Sequence, residues 1–396
     1  MLDRLSLGSV PDKPHLVFRS AGGGQLYEEC ITRAGFDGSY SMLYHLHRPH
    51  ESEPIDPPPI NAAVFELPQS TSERALLRRH YRCFSLPSPG GPALRGRRPL
   101  LFNQDAVVGF VRPQEADPAY FANGDADELF FVLCGGGTLR SAFGDLRFTS
   151  GDYLCVPKGV AYRLLPDSEL EQAYLTLECR GGLFIPPRYR NATGQLRMDA
   201  PYSHRDFRRP TFVGPLDEGI RELSIKRRER FHFYRLEHSP LDVVGWDGSL
   251  YPFAFPILNF QPRVGMIHLP PPVHTTFEAR GVAICSFVPR PLDFHPEANP
   301  CPYPHASVDV DELIFYANSA FGSRRGVAEG SLSHHPAGIL HGPHPGAYEN
   351  VPSPRRTEEL AVMLDCSEPL CATPAALACE DPEYHASFSE KRADVR

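Results

Sequence analysis

Apolar residues in this chain fall in short runs separated by glycine, proline and aspartate. Between residues 99 and 180 such runs occupy 106–111, 127–133, 138–142, 145–148, 151–157, 162–165 and 173–177. Runs of this length, rich in Val, Leu, Phe and Tyr and bounded by turn formers, predict strands rather than helices. The stretch from Gly135 to Gly137 would suit a phosphate if a helix followed it. Another strand-like run follows, so it is read as a hairpin. A turn-rich connection over 181–255 carries strand-like runs at 231–236 and 242–246. Beyond it strands resume: 281–288 is apolar enough to be buried, 313–316 is another strand, and 358–365 reads as a closing strand. Helical spacing shows at 72–79 and at 373–378, where Thr373 is placed to cap and Pro374 to open the first turn.

The expected fold is therefore all-β: two jelly-roll or β-sandwich halves with few short helices. The first half spans 1–250, with a barrel at about 99–180 and a linker after it. The second spans 251–396. The 42 prolines and 32 glycines among 396 residues agree, because an interior proline removes a helix hydrogen bond and clashes with the preceding turn. A formal net charge of −8 gives no general attraction for nucleic acid or an anionic membrane. The main basic run, Lys226 to Arg230, reads as a solvated face or linker, with a subunit contact as the alternative. The ten cysteines include no Cys-x-x-Cys pair. Cys134, Cys155, Cys179 and Cys285 lie inside apolar runs and read as buried small hydrophobes. Without a leader-like start or an apolar run of membrane length, the expected compartment is the reducing cytoplasm. Trp246, the one tryptophan, is expected to pack. His45, His47 and His50 cluster without a carboxylate close in sequence and are read as surface or interface packing.

Chemistry concentrates in two stretches of the second half. In the first, a loop brings His305 and, seven residues on, Glu312 at the mouth of the 313–316 run. In the second, Gly330 is followed by five residues, then Pro336-Ala-Gly338, two residues, and His341. The glycine starts a strand, the Pro-x-Gly turn reverses it, and the histidine points into a barrel. This is the metal motif of a cupin barrel. Two imidazoles and one carboxylate hold one face of an ion and leave the other open to substrate and oxygen. Zinc is compatible with these donors, and Fe(II) suits an open two-His-one-Glu face at least as well. Alternation turns Asp311 to the opposite face from Glu312. Gly151, Pro157 and Gly159 repeat the frame in the first half, but Tyr162 stands where the histidine would be. Glu128 there has no histidine ahead of it. The first cupin-like barrel is read as metal-free and structural.

At this point the chain resembles the homogentisate 1,2-dioxygenase family, in particular its shorter bacterial branch. The likeness lies in Tyr303-Pro-His305 with Asp311-Glu312 and in the stretch from Ser333 to His344. It continues in 8–15, in 239–248 around Trp246, and in 359–365. The resemblance implies an oxidoreductase that opens the ring of homogentisate with O2 to give maleylacetoacetate, in tyrosine and phenylalanine catabolism. It implies a homo-oligomer, a trimer or hexamer. It also implies Fe(2+) on His305, Glu312 and His341, with His268 as acid/base and His335 and His341 near a small aromatic substrate. Better-known members carry a tyrosine nine residues after the metal-binding glutamate, where it touches substrate; here that position is Phe321. Arg324 or Arg325 is expected either to meet the substrate carboxylate or to stand on a solvated loop. The alternatives are a dioxygenase for another hydroquinone or phenolic acid, and a non-catalytic bicupin that binds a small molecule.

Overall fold

The computed structural model describes residues 3–35, 38–59, 61–71, 74–88, 90–299, 301–347 and 356–389. The described chain is built of strands, with short α-helices at Ala93–Gly96 and Pro374–Ala378 and single 3-10 turns. None of its helices is long and apolar enough to cross a membrane.

Two seven-stranded sheets make the first barrel. One runs Phe253–Pro256, Asp152–Val156, Asp127–Cys134, Ala173–Cys179, Ala106–Val111, Arg98–Phe102, Cys371–Ala372. The other runs Gly144–Thr149, Gly136–Ser141, Tyr162–Pro166, Tyr120–Asn123, Glu222–Lys226, Phe231–Leu236, Ser52–Pro54. Phe130, Val132, Phe148, Leu154 and Leu164 fill the space between them. The strand Asp127–Cys134 is buried on both faces, which explains its unbroken apolar sequence. Its alternate residues Leu129, Phe131 and Leu133 point the other way, into a second core.

That second core joins the two halves. A third seven-stranded sheet runs Leu183–Phe184, Thr275–Ala279, Val282–Phe287, Ala361–Cys366, Asp311–Tyr316, Ser331–His335, Arg79–Arg82. Its back lies against the back of the first barrel, with Phe131 and Phe315 6.2 Å apart between ring centroids and Tyr153 and Phe277 5.8 Å apart. The Tyr153 hydroxyl shares a hydrogen bond with Ser286 at 2.9 Å. Strands cross the division drawn at residue 250. Arg79–Arg82 completes the third sheet, while Phe253–Pro256 and Cys371–Ala372 extend the first barrel. A strand's period of two then decides what the free face of the third sheet presents. Leu313, Phe315, Leu332, Val362 and Leu364 go into the shared core. Glu312, Ile314, Tyr316, Ser333, His335 and Met363 go to the other side.

Several local expectations are met. Thr373 caps the Pro374–Ala378 helix, its hydroxyl accepting from the Ala376 amide at 3.3 Å. Trp246 is fully buried and donates to the Phe143 carbonyl. All ten cysteines are free thiols; Cys155, Cys179 and Cys285 are buried, and Cys134 is half-buried.

Other expectations are corrected. Of the helix expected at 72–79, Ser72 and Glu73 lie outside the described residues. Residues 74–78 are irregular and Arg79 opens a strand. Tertiary pairing overrides the helical spacing there, because Arg74 and Arg79 both reach Glu380, at 2.5 and 2.6 Å. The basic run is a solvated face only in part. Arg227, Arg228 and Arg230 are exposed, with Arg227 pairing with Asp125, but Lys226 is completely buried between Glu178 and Glu229. The parallel pairing of Glu222–Lys226 with Tyr120–Asn123 carries that ammonium inward. The His45 group also has carboxylates after all. His45 meets Asp242 at 2.6 Å and Glu29 at 2.9 Å, and His47 meets Asp242 at 2.8 Å. All three contacts join residues distant in sequence.

Candidate metal centre

The free face of the third sheet supplies the floor. Glu312 lies opposite His335 on one neighbouring strand and opposite Asp365 on the other. Two loops bring the rest. His305 and His341 pair backbone to backbone, each amide donating to the other's carbonyl at 2.8 Å. The turn at Gly338 has φ of +82° and ties back to the Ser307 carbonyl. Gly342 allows the loops to touch, since a Cβ there would come within 2.7 Å of the Pro304 Cα.

His305, Glu312 and His341 converge, with one ligand atom from each lying within 4.8 Å of the others. The Glu312 carboxylate stands 3.7 Å from His305 Nε2 and 3.4 Å from His341 Nε2. Both rings are oriented from behind. His305 Nδ1 faces the Tyr303 carbonyl and His341 Nδ1 the Ile339 carbonyl, each at 3.1 Å. A ring that donates from Nδ1 keeps its lone pair on Nε2. The His341 Nε2 is buried and has no hydrogen-bond partner. Burial works against the charge on Glu312, but the surrounding imidazoles of His305, His335 and His341 overrule it and hold the carboxyl well below its usual range.

The remaining expected residues separate. His335 joins the group by holding Glu312, with its Nδ1 at 2.8 Å from the carboxylate, and its ring stacks on His341 at 4.3 Å. Burial pushes its pKa down to about 3. His268 stands apart at the rim. Its ring meets Tyr303 edge-on at 5.4 Å, and Tyr303 in turn meets His305 at 6.3 Å. Phe321 packs edge-on against Tyr316 at 4.6 Å. Arg324 turns inward beside Tyr316, whereas Arg325 is exposed and donates to the Pro345 carbonyl. Asp311 faces away as alternation requires, accepting from His334 and from the amides of Ala337 and Leu370.

Several residues were not legible as site residues. Residues 380–388 cross the site as a strap. Tyr384 puts its hydroxyl 3.4 Å from His335 Nε2, and His344 meets Ser387 at 2.8 Å and the Phe388 ring at 4.0 Å. From the beginning of the chain, His80 contributes a buried ring between Ser331 and Asp381, with Tyr384 5.2 Å away. Asp365 faces Glu312 across the sheet; burial and that neighbouring charge push it up to about 7.

The first barrel shows the same frame filled differently. Arg97 takes the centre, its guanidinium 2.5 Å from Glu128 and 2.6 Å from the Tyr162 hydroxyl, which itself donates to Glu128 at 2.6 Å. Phe65, Phe121 and Phe130 surround it. An internal cation satisfies the carboxylate.

Comparison with known proteins bears on the family of the chain. The family model described as homogentisate 1,2-dioxygenase N-terminal matches residues 103–257. A Saccharolobus solfataricus protein, provisionally named a dioxygenase, is 34% identical over 96% of this chain and 97% of its own. Homogentisate 1,2-dioxygenases of Legionella pneumophila and Sinorhizobium medicae are 27% and 26% identical over 63% and 71% of this chain. These matches span 62% and 65% of those two proteins, less than two thirds of their length. Among solved structures, a cupin 2 conserved barrel domain protein from Leptotrichia buccalis aligns over 69% of this chain and 88% of its own at 10% identity, with a TM-score of 0.31, too slight a likeness to bear on function. With a full-length relative and the matching N-terminal model in hand, the chain belongs to the homogentisate 1,2-dioxygenase family and is an enzyme of the dioxygenase kind.

Proposed function

We propose that this protein is an Fe(II)-dependent ring-cleaving dioxygenase that converts homogentisate and O2 to maleylacetoacetate. The observation that carries this reading is the convergence of His305, Glu312 and His341 on one point, with the buried Nε2 of His341 facing the Glu312 carboxylate and without a hydrogen-bond partner. An oriented imidazole pair and a carboxylate on one side, open on the other, fit a ferrous ion. Bound there, Fe(II) supplies the one-electron chemistry with O2 that no side chain offers.

The chain's own groups supply position and proton transfer. His305 and His341 would present their Nε2 atoms to the ion. His335 holds the Glu312 carboxylate in place, and the strap residues Tyr384 and Phe388 wall the site. His268, at the rim beyond Tyr303, takes the phenolic proton of the substrate and returns it to the product. Both atoms of O2 end in the product, so no external reductant is needed.

Phe321 favours a second reading, a dioxygenase for another hydroquinone or phenolic acid. The test for both is oxygen uptake by protein reconstituted with Fe(II), given homogentisate and gentisate in parallel. Uptake with homogentisate, one O2 per ring, is expected. Uptake with gentisate alone selects the second reading, and none with either removes both.

The same reading includes a cytoplasmic homo-oligomer, a trimer or hexamer. Ten free thiols suit a reducing compartment. Met266, Ile267, Phe294 and Val308, exposed around the rim, offer apolar material for a subunit contact. Sedimentation of the full chain decides the oligomeric state; a monomer at micromolar concentration would rule the oligomer out.

A further inference from the structure

A cavity of about 260 Å³ lies away from the candidate metal centre, where three parts of the fold meet. The strands Asp127–Cys134 and Asp152–Val156 of the first barrel give one wall. Gly181, Gly182 and the strand Leu183–Phe184 give the next. That strand is the far edge of the third sheet, four strands from the one that carries Glu312. The third wall comes from a four-stranded sheet, Leu5–Gly8, Val243–Gly248, Tyr40–His45, Tyr27–Thr32, whose ends deliver Arg33, Ser39 and Ser249 to the cavity.

Its rim is cationic. Arg33, with 29% of its side chain exposed, donates from Nη2 to Asp127 at 2.5 Å. Its Nη1 lies against Gly182, where an added Cβ would come within 3.1 Å of it. Asp127 is well occupied already, since it also accepts from the amides of Leu183 and Lys158 at 2.6 and 2.7 Å. Lys158 is half-buried and donates to the Arg180 carbonyl at 3.2 Å, just ahead of the two lining glycines. Burial pulls its pKa down; Asp127 and Asp125 act on it from further off, opposed by Arg33 and Arg227. Three cations, Arg33, Lys158 and Arg227, thus stand with two carboxylates, Asp125 and Asp127, and one positive charge is left over among the described residues. The adjoining groups cancel: Arg180 and Lys226 against Glu229 and Glu178, and Arg97 against Glu128. A partly desolvated charge in excess is unfavourable until an anion joins it.

The interior is apolar. Val156, Ile185, Leu250, Tyr251 and Phe277 are buried there, and Phe253 meets Phe277 at 6.1 Å between ring centroids. A single positive charge at the rim with hydrocarbon behind it fits a singly charged amphipathic anion and fits a phosphate dianion poorly. We propose that this cavity binds small monocarboxylic acids with an apolar body, the carboxylate held by Arg33 and Lys158 and the body by Ile185, Leu250 and Phe277. The site is independent of the metal and of the ring-cleaving function. A ligand seated there touches both halves of the chain, so it stabilises their junction by mass action.

The test titrates hexanoate, butyrate, hexanamide and inorganic phosphate calorimetrically into the full-length protein. Hexanoate is expected to bind roughly 10- to 100-fold more tightly than hexanamide, the range for hydrogen bonds to a charged partner. It should bind roughly tenfold more tightly than butyrate, which buries two methylenes fewer. Lys158→Gln, which breaks no ion pair among the described residues, should remove most of the preference for acid over amide. His305→Ala, in the candidate metal centre, should leave that preference unchanged. Saturating hexanoate should raise the melting temperature of the wild type, and raise that of Lys158→Gln by less. Equal binding of acid and amide by the wild type overturns the proposal, as does a preference that Lys158→Gln retains or that His305→Ala abolishes. Absence of binding by every probe at millimolar concentration overturns it as well. Phosphate bound as tightly as hexanoate overturns the assignment to carboxylic acids.

Discussion

Arg97 and Glu128 meet at 2.5 Å in the first barrel, at the position where the second barrel gathers His305 and His341 around Glu312. Both carboxylates are buried; one is satisfied by a guanidinium and the other by imidazoles arranged to receive an ion. Arg97→Met should therefore leave Glu128 buried and unpaired, a loss of about 3–5 kcal/mol. Urea unfolding of the variant measures it. A change below about 1 kcal/mol, the level of an exposed pair, would show that the guanidinium does not hold the barrel.

Metal content and turnover should separate across the site. His305→Ala and His341→Ala should lose bound iron on dialysis, as read by elemental analysis. His268→Ala should keep its iron and lose roughly 10²–10⁴-fold in kcat, the usual range for a general acid or base. Loss of iron from the His268 variant would make that residue a ligand or a structural element instead.

The strap is fastened by Glu380, which pairs with Arg74 and with the nearly buried Arg79. Glu380→Ala strands Arg79 without its carboxylate and should free 380–388 before the rest of the fold loosens. Limited proteolysis should cut the variant in that segment while wild type resists, and its KM should rise more than its kcat falls. Equal protease resistance would show that the apolar contacts of Tyr384 and Phe388 suffice.

Stability should weaken at alkaline pH through His45. Burial pulls its pKa down, but Asp242 and Glu29 outweigh burial and raise it to about 9 in the folded chain. A histidine raised from its ordinary 6.5 stabilises the fold fully below pH 6.5. That contribution is lost as the pH rises through about 9, and is on the order of 2–3 kcal/mol. Asp242 is lowered in spite of burial, because His45 and His47 favour its charged form, so its contribution is lost on the acid side. The wild-type melting temperature should fall between pH 7 and 9, and His45→Gln should flatten that fall. A variant that keeps the same slope would assign the alkaline loss elsewhere.

Much of this arrangement was legible in the sequence because its causes are local. Short apolar runs between prolines and glycines describe strands, and the Gly330, Pro336, Gly338 and His341 spacing describes a turn with a fixed direction. Period-two alternation was enough to send Glu312 and Asp311 to opposite faces. What escaped depends on pairing between distant segments. Arg74 and Arg79 looked helical, but Glu380, some 300 residues later, ties both, and Arg79 opens a strand while Arg74 stays irregular. Asp242 gives His45 and His47 the carboxylate that their own neighbourhood lacks. Nothing near Tyr384 in sequence marks it as a neighbour of His335, since it gets there through ion pairs made by Glu380 and Asp381 with the opposite end of the chain.

That dependence on a late segment sets an order during synthesis. His305, Glu312, His341 and the strand Ala361–Cys366 that pairs with the Glu312 strand leave the ribosome before Tyr384, and the 18 residues from Ser367 to Tyr384 take roughly 1–4 s to add at ordinary elongation rates. For that interval the ion-binding group can exist with one side of its chamber not yet translated. A metal ion therefore has its widest path of entry while the protein is still being made, and completion of the strap narrows the path to the rim around His268 and Tyr303.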